Sequence, residues 1–397
     1  MRKVLSIIHA PEWGGLHGVA ERVAPACKEK GWEWTVLLPK GAKDSGRARL
    51  ESSGIKVIEI PLRRIRRTKN AYIHLEFLTT IPIDVLRLAS IIKKEKIDVV
   101  QIVGLIHFHG VIAAKLAGRP VVWQIHSDFP PPFLRKFFTP KLVKYADVIM
   151  AIGRGVVAAH PGLEAAAHKL VLFKPPIDTD RYKANPESRK EAREIFQISD
   201  DELMVGAVGQ RIPRKGHALL VEAARIVRQT NDRVRFCVIG QPYAPNAAVY
   251  QEDVVDRADK YGLLANNAFA FYDAGSKVDM YLNGLDIFAL PSQAEGMALS
   301  AAEAMSTGIP VVINDVGSMS ELFDGLDAGF VNKSLTAEEM AEHILKLAND
   351  PELRAFYSQR ARQQVLDKFT IEACANSHIE AYELCFKGQG SKPVEQS

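Results

Sequence analysis

Apolar residues in this chain fall into short β-branched runs, separated by longer segments whose apolar positions recur every three to four residues. The short runs read as buried strands and the periodic segments as amphipathic helices. Strands are expected at Val4–Ile8, Trp34–Leu38, Lys56–Ile60, Asp98–Ile102, Val121–Ile125, Asp147–Ala151 and Val171–Phe173. Helices are expected between several of them, as at Leu16–Lys30 and Ile83–Lys96. A proline-rich break over residues 174–182 interrupts the rhythm. Alternation then resumes with strands at Leu203–Val208, Val234–Ile239, Ala268–Phe271, Asp286–Leu290 and Pro310–Ile313. Three closing helical segments, about Ala337–Leu347, Pro351–Asp367 and Ile371–Phe386, have no strand between them.

Regular alternation implies parallel sheets with helices on both faces, because parallel neighbours need a crossover. The expected fold class is therefore α/β, with two Rossmann-like domains facing each other across a cleft. Residues 1–174 form the expected first domain and 175–369 the second. A helix over 370–387 crosses back to brace the first, and 388–397 is a flexible, breaker-rich tail. Open α/β sheets bind ligands at the carboxyl ends of their strands, which directs attention to the loops there.

Composition adds exclusions. The 397 residues are 47% hydrophobic and 25% charged, ordinary for a globular protein. The longest apolar runs fall far short of the roughly 20 residues a membrane helix needs. Met1-Arg-Lys leads straight into a strand, so no secretory leader is expected. The four cysteines lack metal-ligand spacing and read as buried thiols, in keeping with a cytoplasmic setting. Charge is uneven: residues 1–174 hold 28 Lys+Arg against 14 Asp+Glu, and the remainder 23 against 33. The basic half suits an acidic partner, such as a phosphorylated acceptor or an anionic membrane surface. Its densest cluster is Arg63, Arg64, Arg66, Arg67 and Lys69, the expected point of peripheral attachment to an inner membrane face.

Two loops carry candidate chemistry. Residues 291–310 place Glu295 on a loop after a strand and Glu303 one turn inside the following helix. Both acids border a helix N-terminus, where free N–H groups and the positive dipole end favour an anion. Carboxylates can hold sugar hydroxyls while the amides beside them hold phosphate, so the stretch reads as a site for a phosphorylated sugar. The second loop, residues 205–216, brings Gly209, Arg211 and Lys215 to the entrance of another helix. Glycine permits close backbone approach, guanidinium can clasp phosphate in bidentate fashion, and ammonium acts as a point charge. No Ser or Thr follows Lys215, so this is not a Walker-type phosphate loop.

Together these runs resemble the retaining, nucleotide-sugar-dependent glycosyltransferases of family four (group 1), which have the GT-B fold. The matching pieces are Arg211-x3-Lys215-Gly216, Glu295-Gly296, Glu303-Ala304-Met305, Gly14-Gly15 with Gly31, His126 after its strand, and Ala146-Asp147-Val148. They span about Val4 to Val331. The resemblance implies a catalytic set of His126, Arg211, Lys215 and Glu295. Arg211 and Lys215 would neutralise the donor diphosphate, and His126 would lie beside the anomeric carbon. Glu295 would hold sugar hydroxyls, and the amides around Gly296, Met297, Ala298 and Leu299 would bind sugar and phosphate. Glu303 would hold the ribose. Gly14 and Gly15 would let the first loop approach the diphosphate, and the segment of Tyr272 and Asp273 would receive the base. The implied activity is transfer of a hexose-type sugar, with retention, from a nucleotide-diphosphate sugar to a lipid-linked or polysaccharide acceptor. No metal or other cofactor is implied.

Three departures stand out. Ala298 occupies a position where the family often has glycine, and Pro175-Pro176 replaces the usual Asn-Gly before Ile177-Asp178. Asp178-Thr-Asp180 matches the metal-binding Asp-x-Asp string of a different glycosyltransferase fold, but in a linker, where a metal role is not expected. His107 and His109 are read as packing or solvent-facing residues. Rival readings are a nucleotide-sugar 2-epimerase of similar fold and a non-catalytic nucleotide-sugar-binding protein. A nicotinamide dehydrogenase is disfavoured, because neither first turn carries Gly-x-Gly-x-x-Gly. No nucleic acid partner is expected, since no recognised motif or aromatic platform is present.

Overall fold

A computed structural model describes residues 1–10, 12–40, 46–62 and 71–387, with residues 71–78 and 266 described by their backbone alone. The basic cluster Arg63–Lys69 and the expected tail 388–397 lie outside the described residues. The chain divides into two compact units, one of residues 1–176 with 371–397 and one of residues 177–370.

The first unit is built on seven parallel strands: β1 Arg2–Ile8, β2 Trp32–Pro39, β3 Lys56–Ile60, β4 Val99–Val103, β5 Val121–Ile125, β6 Val148–Ala151 and β7 Leu170–Leu172. Their spatial order is β3-β2-β1-β4-β5-β6-β7, which reverses direction between β1 and β4. The central strands β4 and β5 are buried at every position, because helices cover both faces. That double coverage is why they read as unbroken apolar runs. The helix Ala71–Lys94 starts well before the expected Ile83, since Pro82 lies inside it rather than at its start. The chain's last helix, Ile371–Leu384, packs on the helix Gly15–Glu29 and on β6 and β7. Tyr382, fully buried, donates to Gln101 Oε1 at 2.6 Å, and His378 Nε2 lies 3.0 Å from Gln124 Nε2. These two bonds fix the helix to the polar positions of β4 and β5. All four cysteines are buried free thiols.

The second unit has six parallel strands: β8 Leu203–Val208, β9 Val234–Ile239, β10 Phe269–Tyr272, β11 Ile287–Leu290, β12 Val311–Asn314 and β13 Gly329–Asn332. Their order is β10-β9-β8-β11-β12-β13, with the same reversal, here between β8 and β11. The sequence pattern missed β13. It is a four-residue edge strand whose polar Asn332 and leading Gly329 hide it among turn residues.

Candidate functional site

Where the strand order of a doubly wound sheet reverses, the two adjacent loops turn to opposite faces and leave a crevice. In the second unit that point lies between β8 and β11, so the loops over residues 209–216 and 291–298 meet there. Lys215 Nζ lies 2.7 Å from Glu295 Oε1, and the two side chains are only 14% and 8% exposed. Ser292 Oγ donates to the same carboxylate oxygen at 2.9 Å. Arg214 approaches that oxygen to 3.5 Å and donates to the Ala294 carbonyl at 3.0 Å. Asn314 on β12 donates to the Ser292 carbonyl at 3.1 Å, and Asn332 on β13 donates to Asn314 at 2.7 Å. A polar chain thus runs from the sheet edge to Glu295.

Arg211 is held differently. Its backbone N–H donates to the Gln241 carbonyl at 3.0 Å, and its guanidinium to the Tyr272 carbonyl at 3.2 Å, over the Phe271 ring. Its Nε is buried and has no partner among the described residues. Arg211 therefore joins the β10 end of the site, whereas Lys215 joins Glu295. Gly209 makes room between them, since a Cβ there would lie 3.1 Å from the Lys215 stem. His217 opens the helix His217–Arg228, its Nδ1 2.8 Å from the Tyr250 hydroxyl. Burial, then the charges of Lys215 and Arg211, hold its imidazole down to about 3. It is neutral at physiological pH, and the positive charge belongs to Arg211, Arg214 and Lys215.

Two helix N-termini open at this crevice without side-chain caps, that of His217–Arg228 and that of Leu299–Thr307. Their first N–H groups have no partner within the helix. The loop before the second helix is braced from behind. The Ser318 N–H donates to the Gly296 carbonyl at 2.7 Å, and the Ala298 N–H points at Met319 Sδ, 3.2 Å away. Met297 and Ala298 are both buried. Ala298 has an extended backbone at φ −74°, which explains why this chain needs no glycine there. Glu303 is 7% exposed on the same helix, and its charge reaches Arg181, which pairs with Asp279 at 2.7 Å.

Of the other residues singled out from the sequence in this unit, Tyr272 meets the cluster through its carbonyl, which accepts from Arg211. The Tyr272 ring packs against Phe196 and Tyr281, and burial pushes its phenol up to about 12. What Tyr272 offers the crevice is its carbonyl. Asp273 Oδ1 accepts the Gly275 N–H at 3.0 Å and closes a turn. Asp178 Oδ1 accepts the N–H groups of Asp180 and Arg181 at 3.2 and 3.0 Å, so that carboxylate shapes a turn in the linker.

In the first unit, Gly14 is the extended residue before the helix Gly15–Glu29, which also has no side-chain cap. A Cβ on Gly14 would meet nothing within 4 Å, so packing inside the chain does not demand a glycine. His126 follows β5 and packs its ring on Phe173, 5.1 Å away. Burial, then the charge of His378, depress its imidazole to about 3, and its Nε2 has no hydrogen-bond partner among the described residues. His9 stacks on His107 at 3.4 Å and lies 2.9 Å from His109 through their Nε2 atoms. These histidines pack at the ends of β1 and β4.

Arg214 and Ser292 were not singled out from the sequence. Arg214 was visible as the middle cation of Arg211-x3-Lys215. Ser292 carried no signal, because only the fold brings its hydroxyl onto Glu295.

Two family models match the chain: "Glycosyltransferase Family 4" over residues 13–181 and "Glycosyl transferases group 1" over residues 188–364. Among curated relatives, the D-inositol 3-phosphate glycosyltransferase of Segniliparus rotundus is 27% identical over 285 residues, 71% of this chain and 62% of that protein. The lipopolysaccharide core biosynthesis mannosyltransferase LpsB of Rhizobium meliloti is 27% identical over 209 residues, 52% of this chain and 58% of that protein. The matches therefore span about three-fifths of these relatives' length. Among solved structures, HepE of Anabaena, in complex with UDP and glucose, superposes with a TM-score of 0.79 at 19% identity, over 96% of this chain and all of that one. A glycosyltransferase from Rickettsia africae gives 0.80 at 18% identity, over 97% of this chain and 99% of that one. The chain belongs to the family 4, group 1 glycosyltransferases and has their GT-B fold, with two Rossmann-like units.

Proposed function

We propose that this chain is a retaining glycosyltransferase that moves a hexose-type sugar from a nucleotide-diphosphate sugar to a hydroxyl of a lipid-linked or polysaccharide precursor. The observation that carries the reading is the 2.7 Å contact of Lys215 and Glu295 at the reversal point of the second sheet, beside two uncapped helix N-termini. A crevice with clustered cations, free amides and one buried carboxylate suits a ligand that is anionic at one end and rich in hydroxyls at the other. Family relatives support the donor and acceptor classes: by their names they act on D-inositol 3-phosphate or in lipopolysaccharide core synthesis, and HepE holds UDP and glucose.

In the proposed reaction the anomeric carbon gains oxocarbenium character as the diphosphate leaves. Charge building on the phosphates is met by Arg211, Lys215 and the helix amides, which are oriented before the reaction starts. One such cation at ~4 Å contributes about 4 kcal/mol of Coulomb energy at an effective dielectric of 20, before desolvation. Lys215 must turn from Glu295 to the phosphate, which releases the carboxylate to accept from sugar hydroxyls. Glu303 takes the ribose, and the backbone of Phe271–Ala274 takes the base. His126, Gly14 and Gly15 keep the roles the resemblance gives them, His126 as an uncharged hydrogen-bonding group. Glu295 and Glu303 address different parts of one donor, unlike the facing carboxyl pair of a retaining hydrolase. No metal enters this scheme.

The test has two stages. Thermal shift against UDP-, GDP- and ADP-sugars should single out one base, because ligand binding raises apparent stability by mass action. Labelled α-linked donor should then yield an α-linked product, and the Lys215→Met variant should lose on the order of 10²–10³ in turnover. An inverted product would reject the retaining mechanism.

A further inference from the structure

The helix Pro132–Tyr145 in the first unit exposes side chains that a helix covering a sheet normally turns inward. Phe133 is 70% exposed and Phe137 57%, and Phe129, on the loop leading in, is 45% exposed. The positions that do pack inward, Leu142 and Thr139, lie on the opposite side, both fully buried. At roughly 3.6 residues per turn, Phe133, Phe137 and Lys144 share one outer stripe, with Lys136 and Lys141 on its two flanks. The Lys141 ammonium sits over the Phe137 ring at 3.2 Å. The helix carries Arg135, Lys136, Lys141 and Lys144 and no acidic residue. Two aromatic rings thus face solvent on a helix whose own charges are all positive, with Asp128 on the loop before it the acid nearest those rings along the chain.

We propose that this helix is a docking face for an anionic lipid bilayer, on which it lies parallel to the surface. The occupant is argued from charge and chemistry. Phenyl groups at the level of the headgroups bury apolar area, while lysines flanking them extend to lipid phosphates. Each cation near an anionic surface adds attraction that salt screens. A protein partner fits less well, because protein interfaces are depleted of lysine where aromatics are enriched. Among the described residues no helix is long and apolar enough to cross a membrane, so the attachment is peripheral. This assignment gives the membrane contact to the helix Pro132–Tyr145 rather than to the Arg63–Lys69 stretch expected from the sequence.

The full chain would be tested by co-sedimentation with phosphatidylcholine vesicles, with and without phosphatidylglycerol. Binding is expected only with the anionic lipid and should weaken in high salt. The double variant Phe133→Ser, Phe137→Ser should reduce vesicle binding by about tenfold or more, from the apolar area it removes. Lys136→Glu with Lys144→Glu should abolish the preference for anionic lipid. Both variants should keep the wild-type thermal shift with nucleotide sugar, so a failure here is distinguishable from a failure of the glycosyltransferase reading. The proposal is overturned if the wild type ignores anionic vesicles, or if the serine variant binds them as the wild type does. It is equally overturned if sedimentation shows that the phenylalanines instead hold two copies of the chain together.

Discussion

Glu295 meets Lys215 at 2.7 Å in the crevice, and this contact has a consequence for ligand binding. A carboxylate that already holds the ammonium competes with any phosphate that needs it. Removing only the negative charge should therefore separate two functions. The Glu295→Gln variant is expected to bind the free nucleoside diphosphate more tightly, by about tenfold, because one opposing charge is lost near the phosphates. It should transfer sugar on the order of 10² more slowly, since the amide is a weaker acceptor for hydroxyls than a carboxylate. Titration calorimetry with the diphosphate alone, beside turnover with the complete donor, would measure both. Weaker diphosphate binding in the variant would show that Glu295 does not restrain Lys215. Burial of this pair also makes it sensitive to truncation: Lys215→Met leaves Glu295 with Arg214 at 3.5 Å and Ser292 as its remaining neighbours. The polar residues most visible in the sequence, Arg211, Lys215, Glu295 and Glu303, stand out because each lies between a predicted strand and the first turns of the following helix, and because together they match the family's pattern. Ser292, Asn314 and Asn332 orient them but were not legible. Serine and asparagine in loops are so common that only the fold gives them a partner.

Elements hold these residues through backbone contacts that glycine makes possible. Gly317, after β12, has φ +58°, and a Cβ there would lie 1.9 Å from the Glu295 carbonyl oxygen. Its neighbour Ser318 donates to Gly296, so the loop after β12 is the backing for the loop that carries Glu295. The Gly317→Ala variant meets both left-handed backbone strain and overlap with a main-chain oxygen. It is expected to cost about 1–3 kcal/mol of stability and to move the Glu295 loop away from Lys215. Activity should fall more than the melting temperature explains when both are measured at a temperature where the variant is folded. Unchanged activity would mean that the loop tolerates the shift. The strand and helix alternation was legible from period alone, because strands covered on both faces become continuous apolar runs. The exceptions follow from local chemistry. Pro82 hid the first half of its helix, and a short edge strand, β13, lacked enough apolar residues to stand out. The bracing glycine looked like any loop glycine, since its constraint comes from a chain segment 22 residues earlier.

Across the described residues, histidines held low by burial are unevenly shared: His109, His126, His160 and His378 lie in the first unit, and His217 and His343 in the second. His109, His126 and His378 in the first unit are held down to about 4, 3 and 4, each mainly by burial, whereas in the second His217 is held at about 3. An unfolded chain takes up protons at these rings from about pH 6.5 downward, but the folded chain does so only near pH 4 or below. Between those limits the unfolded state binds more protons, so stability falls as pH falls. Each such ring contributes up to about 1.4 kcal/mol per pH unit over that window. Carboxylates held low in the second unit, such as Glu202 and Glu222, lose their contribution only below the usual carboxylate range, outside the window. Going from pH 7 to pH 5 should therefore destabilise residues 1–176 and 371–397 more than residues 177–370. Hydrogen exchange at the two pH values, corrected for intrinsic amide rates, would resolve the units by their peptides. The expected result is a larger loss of protection in β4, β5 and the helix Ile371–Leu384 than in β8 and β9. Substituting His378 by Gln should reduce that acid sensitivity while keeping a hydrogen bond to Gln124. Equal loss in both units would mean that the histidines do not set the acid response.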